Sequence, residues 1–439
     1  MESQRYRLEA RRDWPAAGRP ILASPRNGMS IALMLRMTSG VRCDHERTEY
    51  STRAADAPVW VSRAARLIDE IRALRVADGA SAVMDELTLW GGLAGDAVLF
   101  ATYAHVTGDE TATGFALGRA RALAARLPEI ADMGDKASLG ATIGIGAIIY
   151  ALVRCSDALG DFALLDAALR GAALVTRERI MQDAPLDVID GAAGCCLALL
   201  ALVARTHCPR TLSLALACGT RLIDARCVSA SGLRAWATNA TSPPLTGFGH
   251  GASGIACALA RLSAATGREE FAMAAVEGFD YERTHFSSAE GNWADLRTDG
   301  SASSSVRYTW GWCAGAPGIA LARIGAARAG LRTPELTRDL DHALASTSLR
   351  PVVSRHHVCC GTMSRVDALL EGATLSGDSS HHGKAKEMAS SAWRQLKESA
   401  EGPASRRRFP HFFEGLGGIA FECLRLSSPK RVASLLLFE

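Results

Sequence analysis

Apolar positions along this chain fall into two alternating patterns. The first is a nearly unbroken apolar run that opens on a small-residue turn, and it occurs seven times. The seven runs are GGLAGDAVLFATY at 91, ATIGIGAIIYALV at 141, DGAAGCCLALLAL at 190, HGASGIACALARL at 250, AGAPGIALARIGA at 314, CGTMSRVDALLEG at 360 and EGLGGIAFECLRL at 414. In the second run the leading glycine is displaced, and in the sixth Ser364 replaces the closing glycine. With positions 95, 146, 194, 254, 318, 364 and 418 taken as equivalent, the spacing runs from 46 to 64 residues. That length suits two helices and their connections.

The second pattern lies between these runs and has helical period. Asp161 is placed to cap one helix over DFALLDAALRGAALVTRERI. In TPELTRDLDHALAS, Thr333 is an N-cap with Pro334 at the first helical position, and Leu336, Leu340 and Leu344 form a stripe. Each repeat therefore reads as an outer amphipathic helix followed by an inner apolar one. A repeat cannot bury its apolar face alone, so neighbours must stack. The first and last repeats keep the apolar pattern instead of the polar face of a cap, which predicts closure into a ring. The expected fold is all-α, an α/α toroid (barrel) of seven helical hairpin repeats from about residue 85 to 439, with no β-sheet domain.

Ahead of the repeats, Ala64, Leu67, Ile68, Ile71 and Leu74 mark an amphipathic helix over Val59 to Val76 that leads into the first repeat. Residues 1–57 are arginine-rich without sustained periodicity. They are read as a poorly ordered segment or a mis-assigned start, with Met29 and Met34 as alternative initiators, and 58–439 as the folded domain. Asp378 to Pro403 reads as a polar helix or loop between the last two repeats.

The 439 residues, 48% hydrophobic with a net charge of +3, are globular values that give no argument for nucleic acid. The basic residues are almost all arginine, which reflects genome composition before function. The longest uncharged apolar stretch, Leu139 to Val153, is shorter than the ~20 residues of a membrane helix, so no membrane insertion is expected. Of twelve cysteines, Cys155, Cys195, Cys196, Cys218, Cys257 and Cys423 sit in apolar runs as small hydrophobes. A chain of this length with no secretory leader points to free thiols and a cytoplasmic location.

Three other cysteines stand apart. Cys313 and the pair Cys359-Cys360 occupy repeat turns. Three thiols gathered by repeat turns suit Zn2+ with a fourth position open to substrate. His250, between two glycines before the fourth turn, is an acid–base candidate at the same end of the ring. Asp187 precedes the third turn and is placed either to orient His250 or to act on a proton itself; Asp190 competes for that role. His356 and His357 are alternative ligands, with a supporting or surface role favoured by their place before the turn. An electron-rich three-thiolate site favours attack by a substrate thiolate over hydrolysis by activated water.

At these residues the chain resembles the lanthionine synthetase C-like family, and within it the C-terminal cyclase domain of class II lanthipeptide synthetases (LanM). The matching segments are LDVIDGAAG, GFGHGASGIACALARL, YERTHFSSAEGNWADLR, WCAGAPGIALARIG, CCG and FFEGLGGIA, in family order over roughly residues 85 to 439. The resemblance implies a toroid of seven inner and seven outer helices, with zinc on Cys313, Cys359 and Cys360. It also implies catalytic roles for His250 and Asp187. The implied reaction adds peptide cysteine thiols to dehydroalanine or dehydrobutyrine, forming lanthionine or methyllanthionine rings. The implied partner is a dehydrated precursor peptide. Class II synthetases also carry an N-terminal dehydratase domain for which this chain has no room, so dehydration is expected from a separate dehydratase, or the chain is a truncated relict. Ala314 stands where class II enzymes often have histidine, and Ala294 where proline is usual. Two other readings are a non-catalytic toroid that binds peptide or thiol ligands, and a glycosidase-like toroid using Asp96, Asp187, Asp190 or Glu414.

Overall fold

Seven helices open on a glycine and bury nearly every side chain of their first three turns. The computed structural model describes residues 56–77, 86–238, 243–297, 306–401 and 409–439, all within one compact unit, Ala54–Glu439. The arginine-rich start, up to residue 55, lies outside the described residues. In chain order the first helices are α1 (Ala57–Ala77), α2 (Leu93–Thr107), α3 (Glu110–Ala125), α4 (Leu127–Asp132), α5 (Ile145–Leu159), α6 (Ala163–Ala173), α7 (Arg177–Gln182) and α8 (Ala192–Thr206). They are followed by α9 (Pro209–Asp224), α10 (Ala252–Thr266), α11 (Glu269–Arg283), α12 (Ala316–Arg328), α13 (Pro334–Leu349), α14 (Thr362–Ser376), α15 (Ser379–Glu401) and α16 (Leu416–Ser427).

The apolar helices α2, α5, α8, α10, α12, α14 and α16 pack each on the next, and α16 returns to α2. This is the expected all-α toroid. Each inner helix is followed by the outer helix that packs on it: α3, α6, α9, α11, α13 and α15. The pairing thus runs inner to outer, opposite to the order expected from the sequence. Helix α1 supplies the seventh outer helix by packing mainly against α16, the last inner one. It closes the ring more than it leads into the first repeat.

The turns form a second ring inside the first. Trp90 N–H donates to Thr142 O, Thr142 N–H to Ile189 O, Val188 N–H to Gly249 O and Gly249 N–H to Cys313 O. Cys313 N–H then donates to Cys359 O, Cys359 N–H to Phe413 O, and Phe413 N–H back to Trp90 O at 3.0 Å. Buried backbone groups in irregular segments need partners, and here each turn satisfies its neighbour. In six of the seven repeats a glycine inside the following helix lets the helix start pack closely on its own turn. A Cβ on Gly254 would lie 2.0 Å from Phe248 O, and one on Gly318 would lie 2.0 Å from Trp312 O. At Ser364 the turn is rearranged. Its amide bonds Gly361 O instead of the carbonyl seven residues back, and its hydroxyl donates to the same oxygen at 2.8 Å.

Capping follows sequence where the signals are local. Thr333 Oγ1 accepts from Leu336 N–H at 3.2 Å, and Asp161 Oδ1 accepts from Ala163 N–H at 3.0 Å. The helix expected after Asp161 is split in two, because Thr176 caps α7 by accepting from Arg179 N–H. The Asp378–Pro403 segment is largely helical, as α15. Short antiparallel strands occupy two connections: β1 (Cys227–Val228) with β2 (Arg234–Ala235), and β3 (Phe286–Ser287), β4 (Asn292–Asp295) and β5 (Arg307–Tyr308) in one sheet. They are local hairpins, not a β domain. Among the described residues, no helix is long and apolar enough to cross a membrane.

The inner helices are not uniformly apolar. Arg323 of α12 is fully buried against Glu282 (2.6 Å) and Asp339 (3.1 Å) of the outer helices α11 and α13. Arg425 of α16 is buried against Asp367 (2.9 Å), Glu422 (3.1 Å) and Glu371. Each guanidinium meets more than one carboxylate, so its charge is compensated where water is excluded.

Candidate metal centre and acid–base pair

The ring of turns sets a register. The residue two before each cap glycine joins the hydrogen-bonded ring and is buried in six of seven cases, Trp90 being partly exposed. The residue one before it is at least partly exposed in six of seven, Ala314 being buried. Cys313 and Cys359 hold the buried position of adjacent turns, whereas Cys360 and His250 hold the more open one. The sulfurs of Cys313 and Cys360 are 3.0 Å apart, those of Cys359 and Cys360 3.3 Å, and all three lie within 4.8 Å of one another. Sulfurs sharing one tetrahedral zinc, each about 2.3 Å from it, lie about 3.8 Å apart. The cluster matches that scale, and a set of three thiols suits zinc. It is the one such group among the described residues.

Asp187 meets His250 across the boundary between the third and fourth turns. Its Oδ2 is 2.6 Å from His250 Nδ1, while its Oδ1 accepts from Asp190 N–H at 2.8 Å. One carboxylate thus fixes its own turn and the neighbouring imidazole. Its place is set by Asp183, whose Oδ2 accepts from Leu186 N–H and Ala192 N–H, both at 2.9 Å. Leu186 itself has φ of 61°, the left-handed region that a leucine adopts only under constraint. Of the two aspartates, Asp187 takes the histidine; Asp190 Oδ1 is buried without a partner.

The electrostatics divide the site. Burial disfavours charge on His250, but its hydrogen bond to Asp187 and the charges of Asp187 and Cys313 outweigh this, so its pKa is raised despite the opposing charge of Arg297. Hydrogen bonds from Cys359 and Cys360 hold the Cys313 thiol well below its usual range, with Arg297 and His250 adding to the effect. The same sharing of one negative charge pushes Cys359 up and Cys360 up to about 12. His356 and His357 lie outside the thiol cluster. His356 is buried with Nδ1 3.3 Å from Thr362 Oγ1, and His357 Nδ1 accepts from Cys360 N–H at 3.4 Å.

Sequence reading passes over Arg297. Its Nη1 lies 3.7 Å from Cys313 Sγ. The residue belongs to the connection after β4, which has no repeat register to flag it. Its only signal is its position at the end of NWADLR. Two of the carboxylates weighed for glycosidase chemistry are otherwise engaged: Asp96 accepts from Arg75 at 2.9 Å, and Asp187 holds His250.

The sequence model of the family described as "Lanthionine synthetase C-like protein" matches residues 83–437. The chain belongs to the lanthionine synthetase C-like family. Among solved structures it is similar to nisin cyclase, with a TM-score of 0.61 and 16% identity over 86% of this chain and 97% of that one. At this identity the likeness is one of fold. An α-1,6-mannanase from Salegentibacter sp. HEL1_6 gives a TM-score of 0.46 and 13% identity over 71% and 99% of the two chains. The unsaturated glucuronyl hydrolase from Bacillus sp. GL1 gives 0.44 and 14% over 65% and 86%. Comparison with curated protein sequences returns no match. In this lanthionine synthetase C-like chain, the three cysteines and the Asp187–His250 pair meet at the turn end of the ring.

Proposed function

We propose that the protein is a zinc-dependent lanthipeptide cyclase. It joins cysteine thiols of a dehydrated precursor peptide to dehydroalanine or dehydrobutyrine, making lanthionine or methyllanthionine. The observation that carries this reading is the convergence of three thiols on one point beside a carboxylate-held imidazole. Cys313, Cys359 and Cys360 would hold the zinc, whose charge when bound keeps a substrate thiol deprotonated and nucleophilic near neutral pH.

With Nδ1 committed to Asp187, His250 has Nε2 free to exchange a proton with substrate. The new bond joins the cysteine sulfur to the β-carbon of the dehydro residue. The π pair moves onto the α-carbon and its carbonyl, and a proton delivered from His250 to the α-carbon completes the thioether. The proton lost by the thiol restores His250, so atoms and charge balance without an oxidant or reductant. Asp187 keeps the ring oriented and favours its protonated form. The mouth also gathers the N-termini of seven inner helices, whose dipoles favour the developing negative charge. The all-cysteine ligand set suggests a class II type of centre, working in a reducing cytoplasm. Its substrate requires prior dehydration of serine or threonine, as a separate dehydratase would provide.

Zinc-supplied protein incubated with a dehydrated, cysteine-containing peptide tests this directly. Cyclisation leaves the peptide mass unchanged and removes one alkylatable thiol per ring. Cys360→Ala is expected to lose zinc and cyclisation together, and His250→Ala to keep zinc but lose cyclisation. Thiols that stay alkylatable across a panel of dehydrated peptides, with zinc bound, would overturn the reading.

A further inference from the structure

Strand β4 places a fixed cation against the thiol cluster. All four of its residues are buried, and it is paired on both sides: Trp293 with Phe286 of β3, and Ala294 with Tyr308 of β5. At its end the Asp295 side chain is 1% exposed. That carboxylate accepts from Arg297 Nε at 2.8 Å and from Nη2 at 2.7 Å. The bidentate grip uses one edge of the guanidinium and fixes its plane. The remaining nitrogen, Nη1, is thereby directed to Cys313 Sγ. Arg307 buttresses the arrangement from the other side, donating from Nη2 to Arg297 O at 3.1 Å.

We propose that Arg297 is a positioning residue of the metal centre: held by Asp295, it donates to the Cys313 sulfur and offsets the negative charge that three thiolates gather at one point. This inference rests on the zinc reading above. Three thiolates around a divalent cation leave a net charge of about −1, and approach of an anionic substrate thiolate adds to it. A guanidinium stays charged at any working pH and cannot replace a sulfur as ligand. It therefore lowers the electrostatic cost of the cluster without competing for the metal. Partners that hydrogen-bond metal ligands typically contribute about 10- to 100-fold to metal affinity.

Zinc affinity, measured by competition with a chromophoric chelator, tests the role in wild type, Arg297→Gln and Arg297→Lys without reference to turnover. Arg297→Gln is expected to weaken zinc binding about 10-fold or more, with thermal unfolding checked to confirm that the ring is folded. Arg297→Lys keeps the charge but not the two-edged geometry and should fall between. In cobalt-loaded protein the sulfur-to-metal charge-transfer band should shift in Arg297→Gln, because Cys313 loses its hydrogen bond. Wild-type affinity and an unchanged cobalt band in folded Arg297→Gln would overturn the proposal and leave Arg297 a partner of Asp295 alone. Wild-type protein that binds no zinc would overturn it together with the metal centre. Zinc-binding protein that cyclises no peptide, yet weakens in Arg297→Gln, would overturn the cyclase reading and sustain this one.

Discussion

His250 Nδ1 and Asp187 Oδ2 stand 2.6 Å apart, although 63 residues separate them in the chain. They come from neighbouring turns, which Val188 N–H and Gly249 O tie together. The contact raises the His250 pKa against the effect of burial, with Cys313 reinforcing it and Arg297 opposing it. A histidine raised in the fold contributes stability that is fully present below its unfolded pKa, ~6.5, and is lost as pH rises through the folded value. Asp187→Asn keeps an oxygen for Asp190 N–H but removes the charge. The midpoint of His250, followed by NMR, should drop by about one unit or more. An unchanged midpoint would show that Asp187 does not govern the protonation of this imidazole.

How much of the site can be read from sequence depends on register. Cys313, Cys359, Cys360 and His250 all lie one or two residues before a cap glycine, so a repeat alignment places them at one end of the ring. Asp187 lies four before its own, within reach of a neighbouring turn. Arg297 has no such coordinate, and its approach to Cys313 depends on the pairing of β4 and the grip of Asp295. Helix order differs from expectation for a related reason. Periodicity shows that α1 has an apolar face but not which inner helix covers it, and ring closure gives that partner as α16. The charges inside α12, α14 and α16 escape a sequence reading because most of their partners lie on other helices.

Glycine at the repeat turn should be replaceable nowhere as poorly as where the backbones touch. In Gly254→Ala the new methyl would meet Phe248 O at 2.0 Å and a Val188 methyl at 2.7 Å. The turn must move, and the expected loss is about 3 kcal/mol, at the upper end of overpacking costs. Gly114 lies in the outer helix α3, and a Cβ added there would have nothing within 4 Å. At that position the same substitution should stabilise by about 0.5–1 kcal/mol through helix propensity and chain entropy. Urea midpoints of the two variants should therefore move in opposite directions.

Acid should weaken the sixth turn before it protonates ordinary carboxylates. Burial, reinforced by His357, holds His356 down to about 4. Below pH ~6.5 the unfolded chain takes up a proton at this site that the folded chain refuses. Stability should be flat with respect to this group above pH ~6.5 and fall as pH drops from there toward the folded value, by at most about 1.4 kcal/mol per unit. Denaturant titrations across that window should show a shallower slope in His356→Gln than in wild type. Equal slopes would place the acid sensitivity elsewhere.

Glu282 joins the buried charge network to the turn that carries His250. Its Oε1 accepts from Gly247 N–H at 2.6 Å, and its Oε2 accepts from Arg323 at 2.6 Å. Removing a carboxylate from a buried pair leaves the guanidinium undercompensated, at a cost of about 3–5 kcal/mol. Asp339 remains beside Arg323 at 3.1 Å, which places Glu282→Gln near the lower end. That variant keeps a carbonyl oxygen for Gly247, so hydrogen exchange at this amide should stay slow relative to global unfolding. Glu282→Ala removes the acceptor as well. Its Gly247 amide should exchange faster than global unfolding allows, and cyclisation should fall with the loosened His250 turn. If Gly247 exchanges at the same relative rate in both variants, Glu282 acts on stability alone and the turn is held by its ring of backbone bonds.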